Sequence, residues 1–579
     1  MKAAKEQYRG TPHQKLSRAI DKVYDEIEET DFSRRLLLTV GDEIESVVPG
    51  ALNGLRVFEH SLSNEEFFSN YLKLQEVVIS EFRNWNYTDT STSCAETIQV
   101  SRFRWLYVNL LRKVNVPDES QKNLEVEALE RYLNIEEDLS LFEGFDSDVE
   151  DIARLAQNIV SETIGPYLWL WDTAFGPGAT VEVRGRNIDR SAKYSHLGSY
   201  DAYPELDPIP LEGDDPYPSL TESFASRLTF VPKDRTKVRT INIEPTNAIW
   251  RQKALGNAIR EALSESPYFV GDLADQTVNS RQAKLGSLDR SCCTIDLSDA
   301  SDRLSREAVR LVLGDQLADV IDTLRSSQVV LPDGRVHELR KSSSMGNGAC
   351  FEVQTLAYWA VCVATLIRLG YKRARAFSSV YVYGDDIIVP DTAGERVVEV
   401  LQKLGLVVNK AKSFLGSTIP FRESCGGHYL CGTDVTPIYL RTVLPAKKPK
   451  IDTLLDVLTS VVSTANQLRR YGLEMSAESL YEIAEQFLGR LPDSTLLQES
   501  GEVPLTRVLL WWENFDTRGK TRKYQGSHYL VPHWHKSMKP IGLTFHRWGD
   551  VAHIVRHASQ EDRGVKYRPY WTYSLLRVR

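Results

Sequence analysis

Val380-Tyr381-Val382-Tyr383-Gly384-Asp385-Asp386-Ile387-Ile388-Val389-Pro390 sets two β-branched, apolar arms on either side of a glycine and two adjacent carboxylates. The arms have the composition of strands, Gly384 can adopt the angles of a tight turn, and Pro390 ends the second arm. The stretch reads as a β-hairpin with buried arms and a wet, acidic tip. Asp and Gly are ordinary turn residues, so a plain solvated turn is the alternative until partner acids are found. Two divalent ions held ~3.5–4 Å apart for in-line phosphoryl displacement need carboxylates from neighbouring segments. Thr294-Ile295-Asp296-Leu297-Ser298-Asp299-Ala300-Ser301-Asp302 supplies them. Here a short apolar strand delivers Asp296 at its end. Ser298 or Asp299 then caps a helix through Arg303, Ala308, Val309 and Leu313.

Between these acids, Pro332-Asp333-Gly334 turns two short strands, and Ser342-Ser343-Ser344-Met345-Gly346-Asn347-Gly348 forms a small-residue loop. Such a loop lets another backbone come close, and it opens onto a long apolar helix over about 350–369. A helix over about 393–404 follows the acidic hairpin, then a strand over 406–414 carrying Lys410 and Lys412. Phe421-Arg422-Glu423-Ser424-Cys425-Gly426-Gly427-His428-Tyr429 suggests a second tight hairpin, with His428 serving packing or hydrogen bonding. Beyond 447, Leu454, Leu458 and Val461 mark one face of a helix.

Upstream, Phe230-Val231-Pro232-Lys233-Asp234-Arg235-Thr236-Lys237-Val238-Arg239-Thr240-Ile241 places a cation at every second position. In an extended chain Lys233, Arg235, Lys237 and Arg239 share one face at ~7 Å intervals. Like charges in such a row repel unless an anion sits among them, so a triphosphate is the sharper reading and a charge-guarded edge strand the plainer one. Phe175-Gly176-Pro177-Gly178-Ala179-Thr180 lacks the Lys-Ser/Thr ending of a P-loop and reads as a structural turn. Residues 200–218, rich in Pro and Asp, read as a loop; 247–264 as an amphipathic helix; and 271–279 as a polar loop. The first 170 residues read as mostly helical, most clearly over 15–38 and 122–134.

At 579 residues the chain exceeds one usual core, and 42% hydrophobic with 26% charged residues is the balance of a soluble, ordered protein. A net charge of −9 argues against a surface basic throughout, so any grip on nucleic acid has to be local. Residues 132–153 hold eight acids and no Lys or Arg, a belt expected to be solvated. Residues 515–579 hold thirteen Lys or Arg against four acids, with six histidines and aromatics such as Tyr524, Trp534, Trp548, Tyr570 and Trp571, a composition able to grip phosphates and stack on bases. Seven cysteines without a CxxC pair suggest free thiols in a reducing compartment and no zinc site. The start lacks the apolar core of a signal peptide, and the most apolar run, 358–369, is too short to span a bilayer, so a cytosolic protein with no membrane role is expected.

Asp296 and Asp385, borne on neighbouring strands of a small antiparallel sheet backed by helices, fit a two-metal nucleotidyl transferase. The words that carry this chemistry also carry a resemblance. Tyr383-Gly384-Asp385-Asp386 looks like motif C of RNA-dependent RNA polymerases, Asp296 with Asp302 looks like motif A, and the Met345-Gly346-Asn347-Gly348 loop sits where motif B belongs. With Val231-Pro232-Lys233, Asp275-Gln276-Thr277, Asp296-Leu297-Ser298, Ser344-Met345-Gly346-Asn347-Gly348 and Phe421-Arg422-Glu423-Ser424-Cys425-Gly426, they resemble the replicase catalytic (beta) subunit of single-stranded RNA bacteriophages, the Qβ- and MS2-like leviviruses. The resemblance covers roughly 175–441.

The resemblance implies an α+β right-hand polymerase with fingers, palm and thumb. The regions expected are 1–170 as a helical N-terminal region with part of the fingers, 171–290 as fingers, 291–440 as palm, and 441–579 as thumb and basic tail. It implies primer-independent copying of phage RNA from ribonucleoside triphosphates in the cytoplasm of a bacterial host. Template and product RNA, host elongation factors Tu and Ts and a ribosomal small-subunit protein are the implied partners. Asp296 and Asp385, with Asp386 as an additional or outer ligand, would hold two Mg²⁺ ions, with Mn²⁺ as a substitute. Lys233 and Arg239 match the family's triphosphate-contacting finger motif, and Arg235 and Lys237 share their face. No aromatic residue lies between Asp296 and Asp302, so the bulky gate by which reverse transcriptases exclude a 2′-hydroxyl is absent; Asp302 can accept from that hydroxyl, supported by Asn347 in the loop of Ser344 and Gly346. Lys412, in the place of motif D, is the expected proton donor to pyrophosphate, with a solvated strand-end lysine as the plainer reading and Lys410 as competitor. A reverse transcriptase and an RNA-binding repressor on a polymerase fold are the rival readings.

Overall fold

The computed structural model describes residues 118–141, 144–165, 174–185, 225–234, 237–440 and 451–488, together with shorter stretches elsewhere in the chain. Arg235 lies outside the described residues, as do Trp548, most of the helix expected over 15–38 and most of the loop expected over 200–218. Of the basic tail, strands run over Arg522–Tyr524, His528–Pro540 and Tyr567–Val578, the last two paired antiparallel along their length.

The elements that position the site are α1 (Thr92–Asn109), α2 (Asp118–Ser140), α3 (Ser147–Ile164), β1 (Ala225–Asp234), β2 (Lys237–Ile243), α4 (Thr246–Glu265), α5 (Thr277–Asp289) and β3 (Cys292–Ile295). They continue with α6 (Arg306–Leu313), α7 (Asp315–Leu324), β4 (Gln328–Val330), β5 (Val336–Glu338), α8 (Cys350–Arg368), β6 (Tyr381–Tyr383), β7 (Asp386–Pro390) and α9 (Asp391–Lys403). The last are β8 (Phe421–Ser424), β9 (Gly427–Leu430), α10 (Ile451–Arg470) and α11 (Glu474–Leu488).

The acidic stretch is a hairpin: β6 and β7 pair antiparallel with Asp386 opposite Tyr383, leaving Gly384 and Asp385 as a two-residue turn. Only Gly384 is left-handed there, at φ 63°, the pattern of a type II′ turn, and a Cβ on it would lie 3.0 Å from the Phe351 ring. β7 pairs on its other side with β3, Ile387 opposite Ile295, giving a three-stranded antiparallel sheet in the order β3-β7-β6. Helix α8 backs it. Sixteen of its nineteen residues are buried among α3, α4, α6, α9 and the sheet, which accounts for its composition. The helix is longer than the apolar run read from the sequence and meets the length and apolarity of a membrane span, yet 89% of that window is buried within the protein. Residues from α1, α10, α11, β8 and β9 form a second core around Trp105, Phe421 and Leu458.

Three local expectations change. The helix after Asp296 is broken: Asp299 sits left-handed at φ 52° without a capping bond, a short turn covers Ala300–Arg303, and the cap of α6 is Ser305, whose hydroxyl accepts from Ala308 N. The strand expected over 406–414 is only Val407–Val408, with Lys410 and Lys412 in the turn that follows. The polar loop expected over 271–279 ends at Gln276, where α5 begins. The Gly-rich stretch 175–180 packs as a turn, with Phe175 buried against Trp250 and Thr246 Oγ1 donating to Thr180 Oγ1 at 2.7 Å.

Glu244, at the junction of β2 and α4, is fully buried. Burial pushes its pKa up to about 7, against the opposing hydrogen bonds from Ser326 and Gln252 and the charge of Arg325. The unfolded chain releases that proton near 4.5, so stability falls as pH rises from about 4.5 to about 7, by roughly 3 kcal/mol at most. Glu244→Gln keeps the accepting oxygen without the charge. Its stability relative to the parent, measured by urea titration, is expected to rise across that window and level off above it; parallel pH curves for the two proteins would count against this assignment.

Candidate active site

The register that joins β3 to β7 carries Asp296, one residue past the last pair, alongside the hairpin tip. Both Asp296 and Asp385 line one cavity of about 770 Å³. Asp296 is held by its neighbours: Asn409 Nδ2 donates to its Oδ2 at 2.8 Å, and its backbone N–H donates to Ser413 Oγ at 3.0 Å. Burial pushes its pKa to about 6; the nearby Lys412 lowers it, while Asp385 and Glu423 raise it. Asp386 points elsewhere. Its Oδ1 accepts from Cys425 N at 3.0 Å and from Ser424 Oγ at 3.3 Å, and it is absent from the cavity wall. Burial, followed by the charge of Asp385, raises its pKa to about 7.

The basic segment is not one extended face. β1 and β2 form an antiparallel hairpin, with Val231 opposite Arg239 and Asp234 opposite Lys237, so the cations reach the cavity from both arms. Alternation cannot reveal a reversal, because the Lys-Asp-Arg-Thr-Lys run has the same spacing whether it extends or turns. Lys233, Lys237 and Arg239 all line the cavity. Burial lowers the pKa of Lys233, reinforced by Lys412 and Arg239, and burial followed by Arg131 lowers that of Lys237. This is a concentration of positive charge that an anion would relieve.

The glycine loop closes another wall. Gly346, at φ 112°, lies so near β2 that an added Cβ would stand 2.2 Å from the Asn242 carbonyl, and Asn242 N donates to Met345 O. Asn347 and Gly346 line the cavity; Asn347 Oδ1 accepts from Ala349 N at 2.9 Å, which leaves its Nδ2 as the side-chain donor. Ser344 is buried away from the cavity, where its hydroxyl receives Asn242 Nδ2 at 3.0 Å. Asp302 lines the cavity and is bound by Lys341 Nζ at 2.7 Å.

Of the two lysines after α9, Lys412 lines the cavity and Lys410 is exposed. Lys412 lies 3.4 Å from Glu423 Oε1, whose charge comes first in raising the lysine pKa well above its ordinary value. His428 Nε2 lies 3.5 Å from the same oxygen, and its Nδ1 receives Trp105 Nε1–H at 3.1 Å, so it packs and bonds beneath the hairpin. Arg112, Lys341, Asn409 and Glu423 were not singled out from the sequence. The partners of Arg112, Lys341 and Asn409 lie tens to hundreds of residues away, where no local spacing marks them. Glu423 lies inside the 421–429 hairpin and draws its role from Lys412 and His428 on either side.

Asp296 and Asp385 offer hard oxygen donors in the same cavity as Lys233, Lys237 and Arg239. Among the described residues no group of three or more metal-type side chains assembles. That donor set suits an ion such as Mg²⁺, which binds through one or two carboxylates and completes its shell with waters and substrate phosphates.

Residues 214–500 match the family model described as RNA replicase, beta-chain. That match spans just under half of this chain. The chain is 42% identical over 211 residues to the RNA-directed RNA polymerase subunit beta of Qbeta virus (strain MX1), covering 36% of this chain and 34% of that protein. It is 36% identical over 280 residues to the RNA-directed RNA polymerase beta chain of Escherichia phage MS2, covering 47% of each. The chain thus spans about a third to a half of the length of these curated relatives. Among solved structures, the RNA-dependent RNA polymerase of a human picorbirnavirus, as its insertion-loop deletion mutant, aligns at a TM-score of 0.41 and 13% identity, over 74% of this chain and 85% of that one. The matched region contains every cavity residue from Lys233 to Lys412; the wall contributed by α2, including Arg131 and Tyr132, lies before it.

Proposed function

We propose that this chain is an RNA-directed RNA polymerase that extends an RNA strand with ribonucleotides on an RNA template. The observation that carries the reading is the single cavity in which Asp296 and Asp385 face Lys233, Lys237 and Arg239, within a region of the RNA replicase beta-chain family. Asp296 and Asp385 would hold Mg²⁺, two ions in the full form of the proposal, with Mn²⁺ as substitute and Asp386 as an outer support. Such ions acidify a 3′-hydroxyl and neutralise charge on a triphosphate. Lys233, Lys237 and Arg239 bind and orient the triphosphate, and Arg235 is assigned the same role from the sequence alone. Asp302 accepts a hydrogen bond from the ribose 2′-hydroxyl and Asn347 Nδ2 donates to it. Lys412, kept charged by Glu423, supplies a proton to the departing pyrophosphate.

In this proposal 171–290 serve as fingers, 291–440 as palm and 441–579 as thumb and RNA-gripping tail. The protein acts in the cytoplasm of a bacterial host, copying phage RNA without a primer. Elongation factors Tu and Ts and a ribosomal small-subunit protein are its proposed partners. Incubating purified chain with RNA template, the four ribonucleoside triphosphates and Mg²⁺, with and without host lysate, is expected to give template-dependent product. Product that forms only with added lysate supports the partner assignment. No template-dependent incorporation in either condition rules the polymerase reading out.

A further inference from the structure

We infer that Lys341 is a positioning residue for sugar selection: it fixes the Asp302 carboxylate so that the oxygen left open faces the 2′-hydroxyl of the incoming ribonucleotide. The inference rests on the polymerase reading. Lys341 has no exposed side-chain surface. Its Nζ lies 2.7 Å from Asp302 Oδ1, 3.1 Å from Glu136 Oε1 and 3.6 Å from the centre of the Tyr132 ring. Its backbone is pinned as well, through a bridge to Ser305 and the bond from Ser342 N to Leu304 O, so ammonium and carboxylate sit on adjoining, fixed segments.

Oδ1 is the oxygen of Asp302 that is engaged, and the residue stands in the cavity wall. A carboxylate beside a fixed ammonium is acceptor-only, so it takes a hydrogen bond from a hydroxyl and has nothing to offer a 2′-deoxy carbon. A site built to bond a substrate hydroxyl rejects the analogue lacking it by factors as large as ~10⁴, because the buried group is then left unpaired. That selectivity depends on the acceptor being held in place, and Lys341 is the side chain that holds it.

The same cluster reaches the second sugar-facing residue. Tyr132, under the Lys341 ammonium, shares a hydrogen bond with Asn242, and Asn242 bonds Ser344 and, through its backbone, Met345, two residues before Asn347. Helix α2, which carries Tyr132 and Glu136, therefore braces both walls that meet the ribose. Glu136 belongs to the acidic belt that the sequence suggested was solvated; it is buried because it faces Lys341.

The test compares ATP and dATP as substrates for the full chain on an RNA template with Mg²⁺. Lys341→Met is expected to lower the ratio of kcat/KM for ATP over dATP at least tenfold, by loss on ATP with dATP little changed. In an Asp302→Ala background the same change is expected to leave the ratio where Asp302→Ala set it. If Lys341→Met does not fold, Glu136→Gln/Lys341→Met, which removes the second buried charge along with the first, takes its place with the same expected ratio. Equal losses on both nucleotides, or a further fall of the ratio in the Asp302→Ala background, overturn the inference. A parent protein that incorporates neither nucleotide overturns the polymerase reading and this inference with it, whereas an active, ribose-selective parent whose ratio survives Lys341→Met overturns this inference alone.

Discussion

Asp385→Asn is expected to abolish RNA synthesis, with a fall in kcat of about 10³-fold or more, roughly 4 kcal/mol of transition-state stabilisation. The substitution keeps the shape of the turn and removes one of the two carboxylates that face the cavity. RNA affinity, measured by filter binding across a salt series, should stay within about twofold, because the cations that neutralise phosphates are untouched. Asp386→Asn is expected to cost much less, since that side chain is bound to the Cys425 amide and the Ser424 hydroxyl and does not line the cavity. Equal losses from the two variants, or a Asp385→Asn protein that still extends RNA, would remove Asp385 from its leading role.

The largest expected loss of stability comes from Arg422. Its guanidinium is buried, and burial lowers its pKa. Nε donates to the Cys292 carbonyl at 2.7 Å, Nη1 to those of Ile419 at 2.6 Å and Phe421 at 2.8 Å, and Nη2 to that of Gly416 at 3.3 Å. Cys292 opens β3, the strand that delivers Asp296, so this one side chain ties the β8–β9 hairpin to the β3-β7-β6 sheet. Arg422→Met fills much of the space and strands four carbonyl groups, with an expected cost of about 3–5 kcal/mol read from the urea midpoint. Arg422→Lys should recover only part of it, because an ammonium cannot reproduce the planar fork. A loss below ~1 kcal/mol in Arg422→Met would show that water replaces the guanidinium at those carbonyls.

Much of the site was legible locally. The hairpin tip, the strand before Asp296 and the glycine loop are each written in a few adjacent residues. β-Branched arms, a glycine where φ must be positive and small residues where two backbones meet are constraints that act within one turn or one strand. The hairpin over 421–429 was legible for the same reason, with Cys425 and Gly426 both left-handed at φ 50° and 73°. The basic segment was only half legible: its cations were visible, but its reversal between Asp234 and Lys237 was not.

By itself, then, the sequence determined which residue types stand at the strand ends and turns around the cavity, because backbone preferences are set by neighbours in the chain. The tertiary structure alone decided how the charges are shared. It turned Asp385 into the cavity and Asp386 onto the Cys425 amide, paired Lys412 with Glu423, and buried Lys341 between Asp302 and Glu136. A charged side chain reads as solvated until the partner that cancels its burial cost is known, and those partners come from strands and helices brought together only by the fold. The acidic hairpin could be read from eleven residues; the lysine buried between Asp302 and Glu136 could not.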